Sequence, residues 1–425
     1  MSGREPVATG RRRVVVTGMG MVTSLGADVP ATWSGMAAGR SGVATIDSFD
    51  PSRLTVRIAA EIHGFDASGV LGRKEIRRTD RYIQLGLVAA REAIESAGLP
   101  ERFEGDLAER TGVILGTGLG GVGTLIEGIS ANVLRGPDRI SPFVIPMGIP
   151  NIGSGQIAIQ FGMTGPNFTT VSACATGGHA LGESSEIIRR GDADVMVAGG
   201  TEASIYEAIV GAFAAMRALS TRNDQPAAAS RPFDRARDGF VIGEGSGVVV
   251  LEALDHAAAR GATILAELAG YGATADASHI TLPAPGGIGA VRAARRALEK
   301  AGMDATEIDH VNAHATSTAE GDPTELQAIR TIFGAHADRI PITANKSMLG
   351  HTLGAAGAIE AIASILTIRD GCIPPTINLT DPDPLATGLD LTPNRATKHE
   401  VRTVLSNSFG FGGQNTALIF RRWDG

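Results

Sequence analysis

Ten short runs of apolar and β-branched residues, punctuated by glycine, constrain this chain more than any other feature. Five are Arg13–Thr17, Thr111–Leu115, Asn167–Ala173, Asp194–Ala198 and Gly247–Glu252; five more are Ala266–Tyr271, His310–His314, Pro341–Ala344, Thr403–Ser406 and Thr416–Phe420. Many of these runs are uninterrupted rather than alternating, the pattern of strands covered on both faces. Stretches of helical periodicity, such as Tyr82–Ala97, Ile288–Ala301 and Glu325–Phe333, lie between them. The combination predicts an α/β architecture with buried parallel strands. Five runs on each side of residue 262 predict a duplicated unit, with a flexible segment 1–11, one half spanning 12–262 and the other 263–425. No clear residue-level repeat accompanies that count.

A chain of 425 residues with 43% hydrophobic content, 4% aromatics and 56 glycines reads as a compact body built by close approach of small residues. A net charge of −7 argues against a general nucleic-acid or anionic-membrane binder, because both need clustered positive potential. Arg11–Arg13 reads as a solvated lead-in to the first strand. The two cysteines form no C-x-x-C pair and are too few for a disulfide framework. Met1–Gly10 lacks the apolar region of an export signal, and no run of about 18 apolar residues could span a bilayer. A cytoplasmic, reducing setting is expected.

Gly116-Thr-Gly-Leu-Gly-Gly121 matches G-x-G-x-x-G and follows a strand-like run. A dinucleotide site would next require a helix, a second strand and an acidic residue about 20 positions on, whereas Ser130–Pro142 reads as irregular. These glycines, and those of Gly18-Met-Gly20, are read as tight turns and close backbone contacts. The long loops Ser220–Asp234 and Thr281–Gly287 are functional or merely cover a sheet end.

Cys174 stands where Asn167–Ala173 gives way to the small-residue stretch Ala175–Ala180. At a helix mouth the dipole is one way to lower a thiol pKa, and free N–H groups there can hold an oxyanion. Alone, Cys174 fits a buried inert cysteine equally well. His314, and Lys346 with His351, add polar islands at strand ends among small residues, and only a fold could unite them. His256, His279, His310, His336 and His399 read as ordinary surface residues, while His63 and His179 stay open.

Val171-Ser-Ala-Cys-Ala-Thr-Gly177, Asn312-Ala-His-Ala-Thr-Ser-Thr318, Lys346–His351 with Gly354–Glu360, Asn407-Ser-Phe-Gly-Phe-Gly-Gly413 and Ser220–Gly245 resemble blocks of β-ketoacyl-[acyl-carrier-protein] synthases, synthase II of bacterial fatty-acid synthesis above all. The resemblance runs from about Arg12 to Phe420. It implies a thiolase-like fold, two five-stranded α/β halves in an α-β-α-β-α stack, assembled as a homodimer. It also implies an acyltransferase that performs a decarboxylative Claisen condensation between an acyl chain on Cys174 and malonyl-ACP, where ACP is the acyl carrier protein.

By the same resemblance His314 and His351 stabilise the enolate, Lys346 supports them with Glu360 as its partner, and the N–H groups of Cys174 and Phe411 form the oxyanion hole. Phe409 and Phe411 gate the site, Thr316 and Thr318 hold the phosphopantetheine arm, and Leu119 and Val144 bear on acyl pockets, Val144 on that of the partner subunit. Lys74, Arg77, Arg78, Arg139 and Arg217 match docking positions for the acidic ACP, though each alone also reads as a solvated charge. Asn312, Ala313, Glu360, Ser406 and Asn407 match positions that surround a structural cation in some relatives; no other cofactor is implied. Ala315, Gln414 and Val144 depart from common family residues, and Asp138 stands where many relatives are basic. The alternative is the ketosynthase of a specialised polyketide or polyene pathway. A silent chain-length factor would lack the nucleophile, and a thiolase would use a second reactive cysteine, which Cys372 does not match.

Overall fold

The computed structural model describes residues 11–425; positions 1–10, nearly all of the expected flexible segment, lie outside the described residues. The strands of the main sheet are β1 (Val14–Thr23), β2 (Thr111–Gly116), β3 (Asn167–Phe168), β4 (Val195–Glu202), β5 (Gly245–Ala253), β6 (Ala266–Ala275), β7 (His310–Asn312), β8 (Ile342–Thr343), β9 (Thr403–Gly410) and β10 (Gln414–Arg421). Each grows from one of the ten apolar runs. Their spatial order is β8-β7-β9-β10-β6-β1-β5-β4-β2-β3. Cut between β6 and β1, the two halves have the same order, so the chain contains one topology twice.

At that cut β1 and β6 pair only through Val15↔Glu267 and Val16↔Ala266. The sheet is mixed, not parallel. β2 runs parallel to β3 and β4, and β7 to β8 and β9, whereas β5 is antiparallel to β1 and β4, and β10 to β6 and β9. The apolar runs reflect burial of both faces, which the layering produces whatever the strand direction. β3 stops at Phe168, short of the expected Ala173, because Thr169–Ser172 turns toward the nucleophile.

The helices that matter are α1 (Arg81–Ser96), α2 (Val122–Arg135), α3 (Ile152–Phe161), α4 (Thr176–Arg190), α5 (Ile288–Ala301), α6 (Gly321–Phe333) and α7 (Ala356–Asp370). α4 and α7 pack on each other between the half-sheets; α1 and α3 cover one outer face, α5 and α6 the other. The result is the α-β-α-β-α stack. α7 is buried continuously from Ala356 to Ile368, which explains why it lacks a polar face. In contrast, α1 and α5 are amphipathic and sit on their strands through paired glycines. A Cβ on Gly18 or Gly20 of β1 would strike the carbonyls of Ala93 or Ala89, and one on Gly270 or Gly272 of β6 those of Ala297 or Ala293. Gly18-Met-Gly20 is thus a helix-packing seat.

His310 overturns its reading as a surface residue: it is buried in β7, and burial holds it down to about 3. A helix, α2, does follow Gly116–Gly121. What comes next is no second strand of a nucleotide fold, and the buried carboxylate of Glu202 already occupies the N–H groups of Gly118 and Leu119 at 2.7 and 3.2 Å. An anionic phosphate has no place there.

Candidate active site

The two central helices start at equivalent points of the two halves, and both starts carry functional groups. Cys174 lies in the 3₁₀ turn Ala173–Ala175 ahead of α4; Leu353–Ala355 is the matching turn ahead of α7. Ala173 and Leu353 both have positive φ, 49° and 46°, a conformation that costs about 1–3 kcal/mol at a non-glycine residue and must be held by its surroundings. Lys346 and His351 come from the β8–α7 connection and His314 from the β7–α6 connection. Strand ends from both halves therefore converge on one point.

Cys174 is 8% exposed and lines an apolar cavity of about 220 Å³ with Leu119, His314, His351, Leu353, Phe409 and Phe411. The imidazoles of His314 and His351 meet edge to face, ring centres 5.5 Å apart at 85°. Phe240 packs on His351 at 5.3 Å and Phe409 on His314 at 5.5 Å. Both histidines are held well below 6.5, by burial first and then by the positive charge of Lys346. They are neutral at physiological pH. Nδ1 of His314 and both ring nitrogens of His351 have no protein partner among the described residues, so hydrogen-bonding capacity is left over.

The thiol itself departs from the expectation of a lowered pKa. Burial pushes Cys174 up to about 11, and Glu202 adds to that; Lys346 and the N–H groups of Phe411 and Cys174 oppose it. Dehydration of the apolar cavity outweighs the helix mouth. Those two N–H groups point to the sulfur, near where an oxyanion on an acylated sulfur would need donors. A Cβ on Gly410 would lie 3.2 Å from the Cys174 nitrogen and 2.7 Å from the Ser172 carbonyl, so the loop can come this close only with glycine there.

Lys346 and Glu360 form a fully buried ion pair. Burial raises Glu360, against the pull of Lys346. Thr316 and Thr318 place their hydroxyls 3.2 Å apart on the wall of an outer cavity of about 280 Å³. That cavity shares His314, Phe409 and Phe411 with the inner one and opens past Arg217 and the loop at Thr281–Pro283. A corridor runs from the surface to the sulfur.

Two carboxylates beside the histidines were not singled out from sequence. Glu325 accepts from the N–H of His314 at 2.9 Å, of Ala315 at 2.7 Å and from Asn407 Nδ2 at 3.2 Å. Asp322 accepts from the N–H of Phe233, Ser317 and Thr318 at 2.8, 3.0 and 3.3 Å. They stand at i and i+3 of α6, on the face that carries buried Leu326 and Ile329. Their spacing into an apolar face was the available signal.

Residues 11–257 match the family described as "Beta-ketoacyl synthase, N-terminal domain", and residues 265–380 its C-terminal domain. The chain belongs to the β-ketoacyl synthase family. The synthase is 47% identical over 412 residues to 3-oxoacyl-[acyl-carrier-protein] synthase 2 of Coxiella burnetii, covering 97% of this chain and 99% of the relative. The same-named protein of Staphylococcus aureus (strain N315) is 45% identical over 413 residues, with the same coverage. Among solved structures, the ishigamide ketosynthase/chain length factor superposes with a TM-score of 0.90 at 38% identity, and a β-ketoacyl synthase from Burkholderia phymatum STM815 with 0.89 at 38%; each match covers 97% of this chain and 100% of the other. A type II polyketide ketosynthase in complex with its acyl-carrier protein gives 0.89 at 34% over the same shares. The fold is thus the thiolase-like ketosynthase fold.

In this synthase Lys74, Arg77, Arg78, Arg139 and Arg217 are exposed, and none makes a salt bridge among the described residues. Arg78 stacks on Phe143 at 4.7 Å. Val144 does not line its own chain's cavity; it packs against Gly128 of α2, on an apolar surface. At the expected cation position, buried Oδ1 of Asn312, Oδ1 of Asn407 and Oε2 of Glu360 have no partner among the described residues. Hard oxygen donors left orphaned in this way fit a cation. No described helix is long and apolar enough to cross a membrane.

Proposed function

We propose that the synthase joins an acyl chain, carried as a thioester on Cys174, to the two-carbon unit of malonyl-ACP, releasing carbon dioxide and β-ketoacyl-ACP for chain elongation in type II fatty-acid synthesis. The observation that carries this reading is a buried thiol facing two neutral, unpartnered imidazoles across one apolar cavity. In the first half-reaction the Cys174 sulfur attacks the acyl-ACP thioester, the N–H groups of Cys174 and Phe411 hold the oxyanion, and the thiol proton leaves with the phosphopantetheine sulfur. A thiol held at about 11 gives up that proton only as the new bond forms.

In the second, malonyl-ACP enters along Thr316 and Thr318. His314 and His351 donate to its thioester oxygen as the carboxylate departs as carbon dioxide, and the enolate carbon attacks the acyl carbonyl, whose bond to the Cys174 sulfur breaks to release a thiolate that takes a proton from solvent. Neutral imidazoles suit this step, because each offers one N–H without trapping the enolate as a tight ion pair. Lys346, held by Glu360, supplies positive potential from one layer behind. Phe409 and Phe411, flanked by Gly412 and Gly413 at φ 84° and 72°, form the gate.

ACP would dock over Arg217 at the corridor mouth, with Lys74, Arg77, Arg78 and Arg139 as further cationic contacts. A second copy of the chain would cover the apolar face formed by Ile129, Val133, Leu134 and Ile145 together with edge strand β3, where Val133 and Leu134 are 76% and 80% exposed. Val144 lies on this face, as a residue reaching toward a partner's acyl pocket would. Asn312, Asn407 and Glu360, beside Ala313 and Ser406, would hold a structural cation that balances buried oxygens.

The full-length identity to synthase 2 relatives favours fatty-acid elongation over a specialised pathway. Incubation with malonyl-ACP and a panel of saturated acyl-ACPs, reading products by mass, tests this. Condensation across saturated primers is expected; activity confined to polyketide or polyene intermediates would overturn the pathway assignment.

A further inference from the structure

Glu202 ends β4 inside the protein, 0% exposed, and its carboxylate is saturated with donors from separate segments. Oε2 accepts from the N–H of Gly118 at 2.7 Å and of Gly354 at 3.0 Å. Oε1 accepts from the N–H of Leu119 at 3.2 Å and the hydroxyls of Thr117 at 3.2 Å and Ser204 at 2.9 Å. Three backbone N–H groups and two hydroxyls thus converge on one carboxylate, a set that favours its ionised form.

The segments it joins both line the cavity at Cys174. Gly118 and Leu119 form one side; Gly354 follows Leu353, which forms another in its positive-φ conformation. The two backbones lie so close that a Cβ on Gly354 would be 2.4 Å from the Gly118 nitrogen and 2.8 Å from Oε2. A Cβ on Gly118 would sit 2.7 Å from Oε2. Both glycines are needed for the carboxylate to seat, and the seated carboxylate fixes how far apart Leu119 and Leu353 stand.

Resting on the condensing-enzyme reading, we propose that Glu202 is a positioning residue for chain-length selection, tying the Leu119 wall of the acyl pocket to the strained Leu353 turn. It touches no substrate and acts through the backbone it holds. In Glu202→Gln one carboxylate oxygen becomes an NH₂ group. Facing Thr117 and Ser204, whose hydroxyls can turn to accept, it leaves the Leu119 N–H without a partner. Facing Gly118 and Gly354, it opposes two N–H groups at once. Either way one wall is released.

The test measures kcat/KM for butanoyl-, octanoyl- and tetradecanoyl-ACP with wild type, Glu202→Gln and Gly118→Ala, the last of which displaces the carboxylate without removing its charge. Both variants should compress the ratio between the best and worst primer by about tenfold, the scale of pocket discrimination per methylene, with KM for malonyl-ACP within about twofold of wild type. If Glu202→Gln does not fold, Gly118→Ala decides alone. A uniform fall at every chain length, an unchanged ratio, or a wild type with no length preference would overturn the proposal. Failure of wild type to condense any primer would instead count against the condensing reading.

Discussion

Replacing Glu325 by glutamine tests how His314 is held, and the size of the effect follows from three contacts. One carboxylate oxygen serves the His314 N–H and Asn407 Nδ2; the other serves the Ala315 N–H. Glutamine keeps one oxygen, which can retain the first pair, and turns its NH₂ toward the N–H of Ala315, a residue buried at 1% exposure. An orphaned buried N–H costs about 1–3 kcal/mol, and reducing two charge-assisted bonds to neutral ones costs about 1 kcal/mol each. The sum, roughly 3–5 kcal/mol, is read as a fall in urea midpoint of about 1 M or somewhat more. The unpartnered Ala315 N–H, next in the chain to His314, should displace that backbone and slow malonyl decarboxylation by about 10²-fold, the scale of an ångström-size misplacement. Acyl transfer to Cys174 should stay within a few-fold, since its donors lie on other loops. Carbon dioxide release from malonyl-ACP and intact-protein mass of the acyl-enzyme separate the two steps. Glu325→Gln with a wild-type urea midpoint and undiminished decarboxylation would refute the reasoning.

Three further outcomes are expected. Burial pushes Asp322 up to about 7, above its ordinary value of 3.8, so the folded state holds its proton more tightly than the unfolded state. Its contribution to stability is full below pH 4 and is lost as pH rises through 7; Asp322→Asn should therefore lessen the drop in urea midpoint between pH 5 and pH 8. Arg217→Glu should raise KM for acyl-ACP several-fold, more at low than at high salt, and leave KM for a small acyl thioester unchanged in steady-state assays. Val133→Glu should shift the sedimentation coefficient from that of the proposed dimer to that of a monomer, because it places a charge on the apolar face.

The ten strands were legible because burial on both faces writes an uninterrupted apolar run whatever a strand's partner. Direction was not, because β1 and β5 are buried at every position just as the parallel β2 is. Cys174, His314, Lys346 and His351 stood out as polar residues at strand ends. His310 was misread for the complementary reason. Its aspartate neighbour, Asp309, suggested a surface, whereas β7 is buried at every position and takes the imidazole into the core with it. Glu202, Asp322 and Glu325 escaped notice because a carboxylate looks solvated in sequence, and the loop donors that make its burial tolerable are brought to it only by the fold. The raised thiol of Cys174 has a similar origin, since its helix mouth is local and its dehydration is a property of the assembled cavity.

The central claim is that Cys174 carries the acyl chain through condensation. Acyl-ACP and malonyl-ACP mixed with wild type and with Cys174→Ala, followed by mass spectrometry of protein and product, address it directly. Wild type should show an acyl adduct on the peptide containing Cys174 and form β-ketoacyl-ACP, and the variant should show neither. Undiminished β-ketoacyl-ACP from the variant would contradict the account.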